Sequence, residues 1–432
     1  MNRLFKDSKV LSRVGNNFFN IGIFLLPSAF FFAIFFLLIS FIIANIKNKG
    51  FFKDKWNIPF LLCSFLMIII CLVSSFIDSN LYSLSLEKNL NWLGLLNWIP
   101  MFWVFWCSQY YLKDCNRRKS CALFLVLGTI PILISGFGQY YFEWYGPIKF
   151  LKGSIIWYQR ASDNQIQSLT GPFNNPNYAG TWLTVVFPFC CFFICQSKKF
   201  TPSKIFYVFL TSATLLAAFL THSRNAIVNI TLALFLLIGI SSKLIVFTIS
   251  LIVLTFALIF IFKIPLNFLD LINENKIFSS FIPTTNKISE IFNFTRIKIW
   301  KTAIFNIFRN PLIGWGASSF STLYLIKNGK PTFQHTHNII LEISHNYGIF
   351  VSLILFTTIF SLLYKSKQAF SSSESIGSSI NKFWWVSSLV ILLMNFTDIT
   401  YYDGRISLLF WILLSGLRCI LKESNLKKIK LN

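Results

Sequence analysis

Apolar runs of about 20 residues recur along nearly the whole of this 432-residue chain, and no other feature restricts its fold as much. A helix of that length spans the ~30 Å hydrocarbon core of a bilayer. In that medium every backbone polar group needs an internal partner, so such a chain folds as packed helices. The composition agrees, with 55% hydrophobic and 18% aromatic residues. The expectation is an all-α polytopic membrane protein of about 12 transmembrane segments. The first apolar run is too long for a cleavable leader, and no small-residue cleavage site follows it before the basic segment 47–55.

The expected spans are 58–77, 92–111, 120–142, 177–196, 204–221, 225–241, 244–262, 338–364, 383–397 and 405–421. They are preceded by an apolar stretch at 18–46 that contains Pro27. Basic clusters at 47–55, 113–119, 198–204, 365–382 and 422–430 alternate with acidic or neutral loops near 78–91, 143–176, 222–224, 263–337 and 398–404. The net charge of +24 therefore reads as the positive-inside bias, not as a nucleic-acid surface. The basic N-terminus (Arg3, Lys6, Lys9, Arg13) then lies inside, and residues 18–46 must cross twice, broken near Pro27, unless a single tilted span starts outside. The nine cysteines lie in spans or on the basic side and suggest neither a disulfide framework nor a metal knuckle. The Ser-rich segment 371–379 reads as a cytoplasmic linker.

Two outer loops stand out. The first, 143–176, ends in LTGPFNNPNYAG, where Asn175 or Asn177 can cap the next helix with Pro176 in its first turn. The second, 263–337, is too long for a plain connection. Within it Ile297, Trp300, Ile304, Ile307 and Phe308 form an apolar stripe, with Lys298, Lys301 and Arg309 elsewhere. That pattern predicts an amphipathic helix lying on the outer membrane surface and stopping at Asn310-Pro311.

Chemistry concentrates in 332–350, which holds three of the four histidines. Asn338, Glu342 and His345 share one helix face, and polar groups in an apolar run are expected to face a cavity or a polar partner. The helix starts at Asn338 and Asn177 offer unpaired N–H groups to an anion, phosphate in particular. His335 and His337 precede the first of these, and the outer loops also carry His222, Arg224 and Arg296. Arginines suit phosphate oxygens, and a histidine suits general-base work. Plainer readings stand beside these: arginines that snorkel to the interface, a structural Glu342–His345 pair, or a zinc pair at His335 and His337 for which spacing supplies no third ligand. No cofactor is expected, and no nucleophile motif, P-loop or Rossmann glycine pattern occurs.

Four stretches carry a family likeness, in order: GPFNNPNYAG (171–180), HSRNA (222–226), RIKIW with NPLIGWG (296–300 and 310–316), and HTHNIILEISHNYG (335–348). The chain resembles the O-antigen ligase and polymerase superfamily of bacterial membrane glycosyltransferases. On that likeness it divides into an N-terminal transmembrane region (1–204), a ligase-like core (205–364) with the periplasmic loop 263–337, and a C-terminal region and cytoplasmic tail (365–432). The resemblance implies an inner-membrane enzyme with its site at the periplasmic face. It implies inverting, metal-independent transfer of a glycan from an undecaprenyl-diphosphate carrier to lipid A–core or another acceptor hydroxyl. Arg224 and Arg296 would hold the diphosphate, His337 would activate the acceptor, and His335 matches the family's less constrained first histidine; the polar residues read above, His335, Asn338, Glu342, His222 and Asn177, are the candidates for contacting substrate. Val351 departs from the family's usual Gly, Thr or Tyr three residues past Gly348. A polymerase or a protein O-oligosaccharyltransferase would use the same fold, and an inorganic-carbon-like transporter is the alternative of another class.

Overall fold

The computed structural model describes residues 2–48, 50–76, 88–161, 167–196, 201–238, 295–330, 333–371 and 378–431. In chain order its helices are α1 (Asn2–Leu25), α2 (Phe30–Lys47), α3 (Ile58–Phe76), α4 (Lys88–Leu95), α5 (Ile99–Leu112), α6 (Cys115–Gly128) and α7 (Ile130–Phe142). Then follow α8 (Pro176–Gln196), α9 (Pro202–Leu220), α10 (Arg224–Ile238), α11 (Thr295–Arg309), α12 (Phe320–Asn328), α13 (Ile339–Ser371), α14 (Ser378–Met394) and α15 (Gly404–Leu431). Seven helical stretches among the described residues are long and apolar enough to cross a membrane, with α6 and α7 counting as one, and α10 and α14 supply shorter apolar helices. The span expected at 244–262, the outer loop up to residue 294 and most of the Ser-rich linker lie outside the described residues.

The core forms around α8, in which every side chain from Ala179 to Ile194 is buried. A helix apolar on all sides is stable only when enclosed, and α9, α10 and α14 enclose this one. Its threonines cost little inside because Thr181 and Thr184 donate to the carbonyls of Asn177 (2.8 Å) and Gly180 (2.6 Å), one turn back. Trp182, Trp384 and Trp411 are fully buried, and Trp411 packs edge-on to Phe60 and Phe102 where α3, α5 and α15 meet. Gly180 sits where α8 crosses the start of α10, and a Cβ there would meet Ala226, Ser223 and Thr221 at 3.1 Å. Two of the family-like motifs are thus in direct contact.

Pro27 breaks the first apolar stretch into two helices, α1 and α2, which pack on each other as a hairpin. The 18–46 stretch alone is short for two helices, and α1 gains its length by running back through the basic N-terminal residues. The chain is not purely helical: loop 143–176 contains a small antiparallel β-hairpin, Ile148–Phe150 with Ile155–Trp157. Trp157 Nε1 donates to the Ser28 carbonyl at 2.8 Å, so the Pro27 turn and this loop share one end of the molecule. The loop itself is organised on buried Gln139, whose Oε1 accepts the backbone N–H groups of Thr170 and Gly171. At the basic end, the fully buried Arg118 guanidinium is paired with Glu423 (2.5 Å) and bonded to Asn381 and the Leu112 carbonyl, while Arg418 pairs with Asp54. A buried cation left without such partners would be strongly destabilising.

The span expected as one helix over 338–364 is instead broken at Gly348 (φ 81°, ψ 165°). The turn 311–316 crosses at the break and takes up the backbone groups it frees. Ile349 N–H donates to Pro311 (2.8 Å), and the N–H groups of Trp315 and Gly316 donate to His345 (2.7 Å) and Asn346 (3.0 Å). The break leaves a short polar helical lobe, from Ile339 to Tyr347, above the long apolar segment.

The amphipathic helix appears as α11 and ends at Asn310-Pro311 as its sequence indicates. Its buried side is Ile299, Thr302, Ala303, Asn306 and Ile307, packed against α12 and α13. Of the predicted stripe, Ile304 and Phe308 are exposed. The helix carries more apolar residues than one face can hold, so tertiary packing takes one stripe and leaves another outside.

Candidate active site

The loop joining α14 to α15, residues 395–403, is where the motifs meet. Asn338 Nδ2 donates to the Phe396 carbonyl (3.0 Å) and Ile339 N–H to that of Asn395 (2.9 Å). Asn225 of the HSRNA motif donates to Met394 (2.8 Å). Arg405 pairs with Asp403, bonds the Pro172 carbonyl, and lies 4.0 Å from the centroid of Phe173, which ties in the GPFNNPN motif. Asn395 closes the loop on itself, its Oδ1 accepting the N–H groups of Thr400 and Tyr401 at 3.0 Å.

At the centre His337 Nδ1 lies 2.8 Å from Asp398 Oδ1. The other carboxylate oxygen accepts from Asn177 Nδ2, also at 2.8 Å. Asn177 is therefore at the site as expected, but its side chain orients the carboxylate. His337 is held in the left-handed backbone region (φ 54°), immediately before the helix cap, a conformation that persists only where surrounding structure enforces it. Burial alone would push the Asp398 carboxyl up. The hydrogen bond and charge of His337, with the charges of Arg296 and His335, more than offset this and hold it below the ordinary carboxylate range.

His335 stacks edge-on to His337, ring centroids 4.3 Å apart. Burial is the main reason its pKa is lowered; the charges of His337 and Arg296 add to the effect, and Glu342 and Asp398 oppose it. Arg296 thus acts electrostatically on both His335 and Asp398 from the first turn of α11. His335, His337 and Asp398 each place one possible metal-ligand atom within 4.8 Å of the others. The third ligand that sequence spacing does not supply therefore comes from Asp398, although His337 Nδ1 is already engaged with it.

Glu342 is 3% exposed and accepts from Thr336 N–H (2.9 Å), the Tyr402 hydroxyl (2.8 Å) and Asn346 Nδ2 (3.2 Å). Burial and the Glu342 charge hold the Tyr402 hydroxyl well above its ordinary range, so it stays a donor. His345, on the same helix face, is buried against Asn346 (3.2 Å).

The two expected anion sites at helix starts are corrected by their own caps. Asn338 Oδ1 accepts the N–H groups of Ile340 (3.0 Å) and Leu341 (3.1 Å), and Ile339 N–H is taken by Asn395. At α8, Asn175 is the cap: its side chain takes Asn177 N–H (2.8 Å), its carbonyl takes those of Tyr178 and Ala179, and Pro176 has none. Good N-capping and free N–H groups exclude each other. At α10 the first-turn N–H groups of Arg224 and Asn225 have no hydrogen-bond partner among the described residues. Arg224 and His222 are exposed there. The inner side of the His222 ring lies against the Gln167 backbone, where partial desolvation lowers its pKa, and among the described residues no hydrogen bond or ring contact joins it to His337.

Sequence reading missed Asp398. Its signal was present in TDITYYDGR, an acidic outer loop between the last two apolar runs, but nothing in spacing ties residue 398 to residue 337.

Residues 207–356 match the family model described as O-antigen ligase, which supports the superfamily that the motifs resemble. The match takes in Arg224, Arg296, His335, His337, Glu342 and Gly348, and ends short of Asp398. No curated protein matches the chain.

Proposed function

We propose, from the O-antigen ligase domain that residues 207–356 carry, that this chain is a glycosyltransferase acting on lipid-linked glycans. It moves a glycan from an undecaprenyl-diphosphate carrier to an acceptor hydroxyl, lipid A–core in the ligase reading, at the periplasmic face of a bacterial inner membrane. The observation that carries this reading is the His337–Asp398 pair at 2.8 Å, within the electrostatic reach of Arg296.

In this mechanism Asp398 accepts a hydrogen bond from Nδ1–H and fixes the tautomer, leaving Nε2 of His337 as the base. The acceptor hydroxyl gives its proton to Nε2 as its oxygen attacks the anomeric carbon. The bond from that carbon to the diphosphate oxygen breaks, the electron pair leaves with undecaprenyl diphosphate, and the configuration inverts. Arg296, and Arg224 with the open first turn of α10, stabilise the charge on the leaving diphosphate. The fork of Arg224 beside two free N–H groups replaces the capped helix starts as the anion site. The pair needs no metal in this scheme.

A transporter would keep ionisable groups near the bilayer midplane on broken helices. Here the motif residues converge on the end that holds the α14–α15 loop, which favours the transferase.

The test is the glycolipid profile of a deletion strain, complemented with wild type, His337→Ala or Asp398→Asn. Loss of long glycan from lipid A–core, with polymer retained on its carrier and no rescue by either variant, is the expected result. Single repeat units alone on the core would indicate a polymerase, and an unchanged profile would overturn the reading.

A further inference from the structure

A cavity of about 310 Å³ opens beside His335, its wall drawn from α4, α8, the first turns of α13 and the α14–α15 loop. We infer that it seats one sugar ring of a substrate glycan, an inference that rests on the glycosyl-transfer reading above.

Size comes first. Ligand pockets run from roughly 300 to 1,000 Å³, so this one takes a single ring and not an oligosaccharide. The wall chemistry fits a ring with apolar faces and a hydroxyl edge: aromatic Trp98, Tyr178 and Tyr402 alternate with Asn97, Gln334 and Glu342. Glu342 already accepts from three protein donors, which fixes it in the wall.

Two groups on the wall are left over. The Tyr347 side chain is 1% exposed, and its buried hydroxyl has no hydrogen-bond partner. His335 Nδ1 is likewise buried without a partner. Leaving such a group unmade is costly, and both residues line this one cavity. The buried Tyr347 hydroxyl lies beside Gly94, where a Cβ would approach it to 2.9 Å, so the missing side chain at residue 94 leaves that hydroxyl room at the wall. His335 in turn stacks on His337, so the cavity wall is in contact with the proposed base. A ring held by Tyr347 and His335 would present a neighbouring hydroxyl or anomeric carbon to the His337–Asp398 pair.

Saturation-transfer NMR of a panel of methyl pyranosides, on the full chain in nanodiscs, tests this apart from catalysis. Wild type and His337→Ala should both bind at least one pyranoside, because the wall does not include His337. Tyr347→Phe removes only a hydroxyl that has no protein partner, so the fold is retained and affinity should fall roughly three- to tenfold. Steady-state KM then assigns the ring: a matching rise for the acceptor, or for the lipid-linked donor, places that substrate's sugar in the cavity, and either supports the inference. No pyranoside binding, or equal binding by wild type and Tyr347→Phe, overturns it even if transfer activity is intact. Binding that Tyr347→Phe weakens, in a chain with no transfer activity, overturns the transferase reading and leaves the sugar site standing.

Discussion

Gly348 lies directly against the backbone carbonyl of Leu312, so close that any Cβ at residue 348 would overlap that oxygen. The contact explains why the helix that carries His337 at its head and a membrane span at its tail is broken between them. With φ at +81°, residue 348 also occupies a region that side chains disfavour. Gly348→Ala therefore meets two penalties, backbone strain and a displaced 311–316 turn. We expect a loss of about 1–3 kcal/mol, read as a lower melting temperature of the detergent-solubilised chain, with transfer activity lost in proportion. A variant as stable and active as wild type would mean that the turn moves freely and does not brace the site.

Asp398→Asn keeps the size of the side chain and removes its charge. Asn177 still has an oxygen to donate to, and the Ile339–Asn395 and Asn338–Phe396 bonds that hold the loop are untouched. Stability should change little. The turnover number should fall by about 10²–10⁴, the usual worth of a correctly oriented general base, with little change in KM. A drop confined to KM would make Asp398 a substrate contact and not a partner of His337.

How much of this was legible in the sequence follows a physical division. The spans at α8, α9 and α15 were readable because long apolar runs in lipid have one outcome. The cluster at 335–345 was readable because polar groups inside such a run demand a reason. The break at Gly348 was not, because it is set by a turn some thirty residues upstream whose carbonyls and N–H groups complete the interrupted helix. Asp398 was invisible for the same reason: its meaning comes from a fold that brings the last outer loop under the head of α13. The anion sites at Asn177 and Asn338 were misread because the asparagines that mark a helix start also fill it.

His335 predicts an acid sensitivity with a definite sign. Its folded-state pKa is lowered, so below about pH 6.5, the ordinary range of an exposed histidine, the unfolded chain takes up a proton that the folded chain refuses. Stability is then greatest above that range and declines as pH falls toward the folded value, levelling off below it. The Arg296 charge is one cause of the lowering, so Arg296→Gln should make the decline shallower. Melting temperatures of both proteins from about pH 8 to about pH 5, a range that brackets the ordinary histidine value, decide it. Parallel curves would show that Arg296 does not act on His335.

The arginines can be separated from ordinary basic residues of the same surface. Arg296 and Lys298 lie two residues apart on α11, both exposed, yet only Arg296 acts on His335 and Asp398. If Arg296 and Arg224 hold the leaving diphosphate, Arg296→Ala and Arg224→Ala should each lower turnover by roughly 10²–10³, the scale of losing one preorganised charge-stabilising donor. Lys298→Ala should stay within about twofold of wild type, since an isolated exposed charge contributes little. Arg→Lys at the two positions keeps the charge and loses the planar fork, so it should recover only part of the activity. The assay is transfer from a purified lipid-linked donor in nanodiscs, with His337→Ala as the inactive reference. Full activity in both alanine variants would remove the diphosphate role and leave the first turn of α10, with no arginine beside it, as the remaining place for the anion.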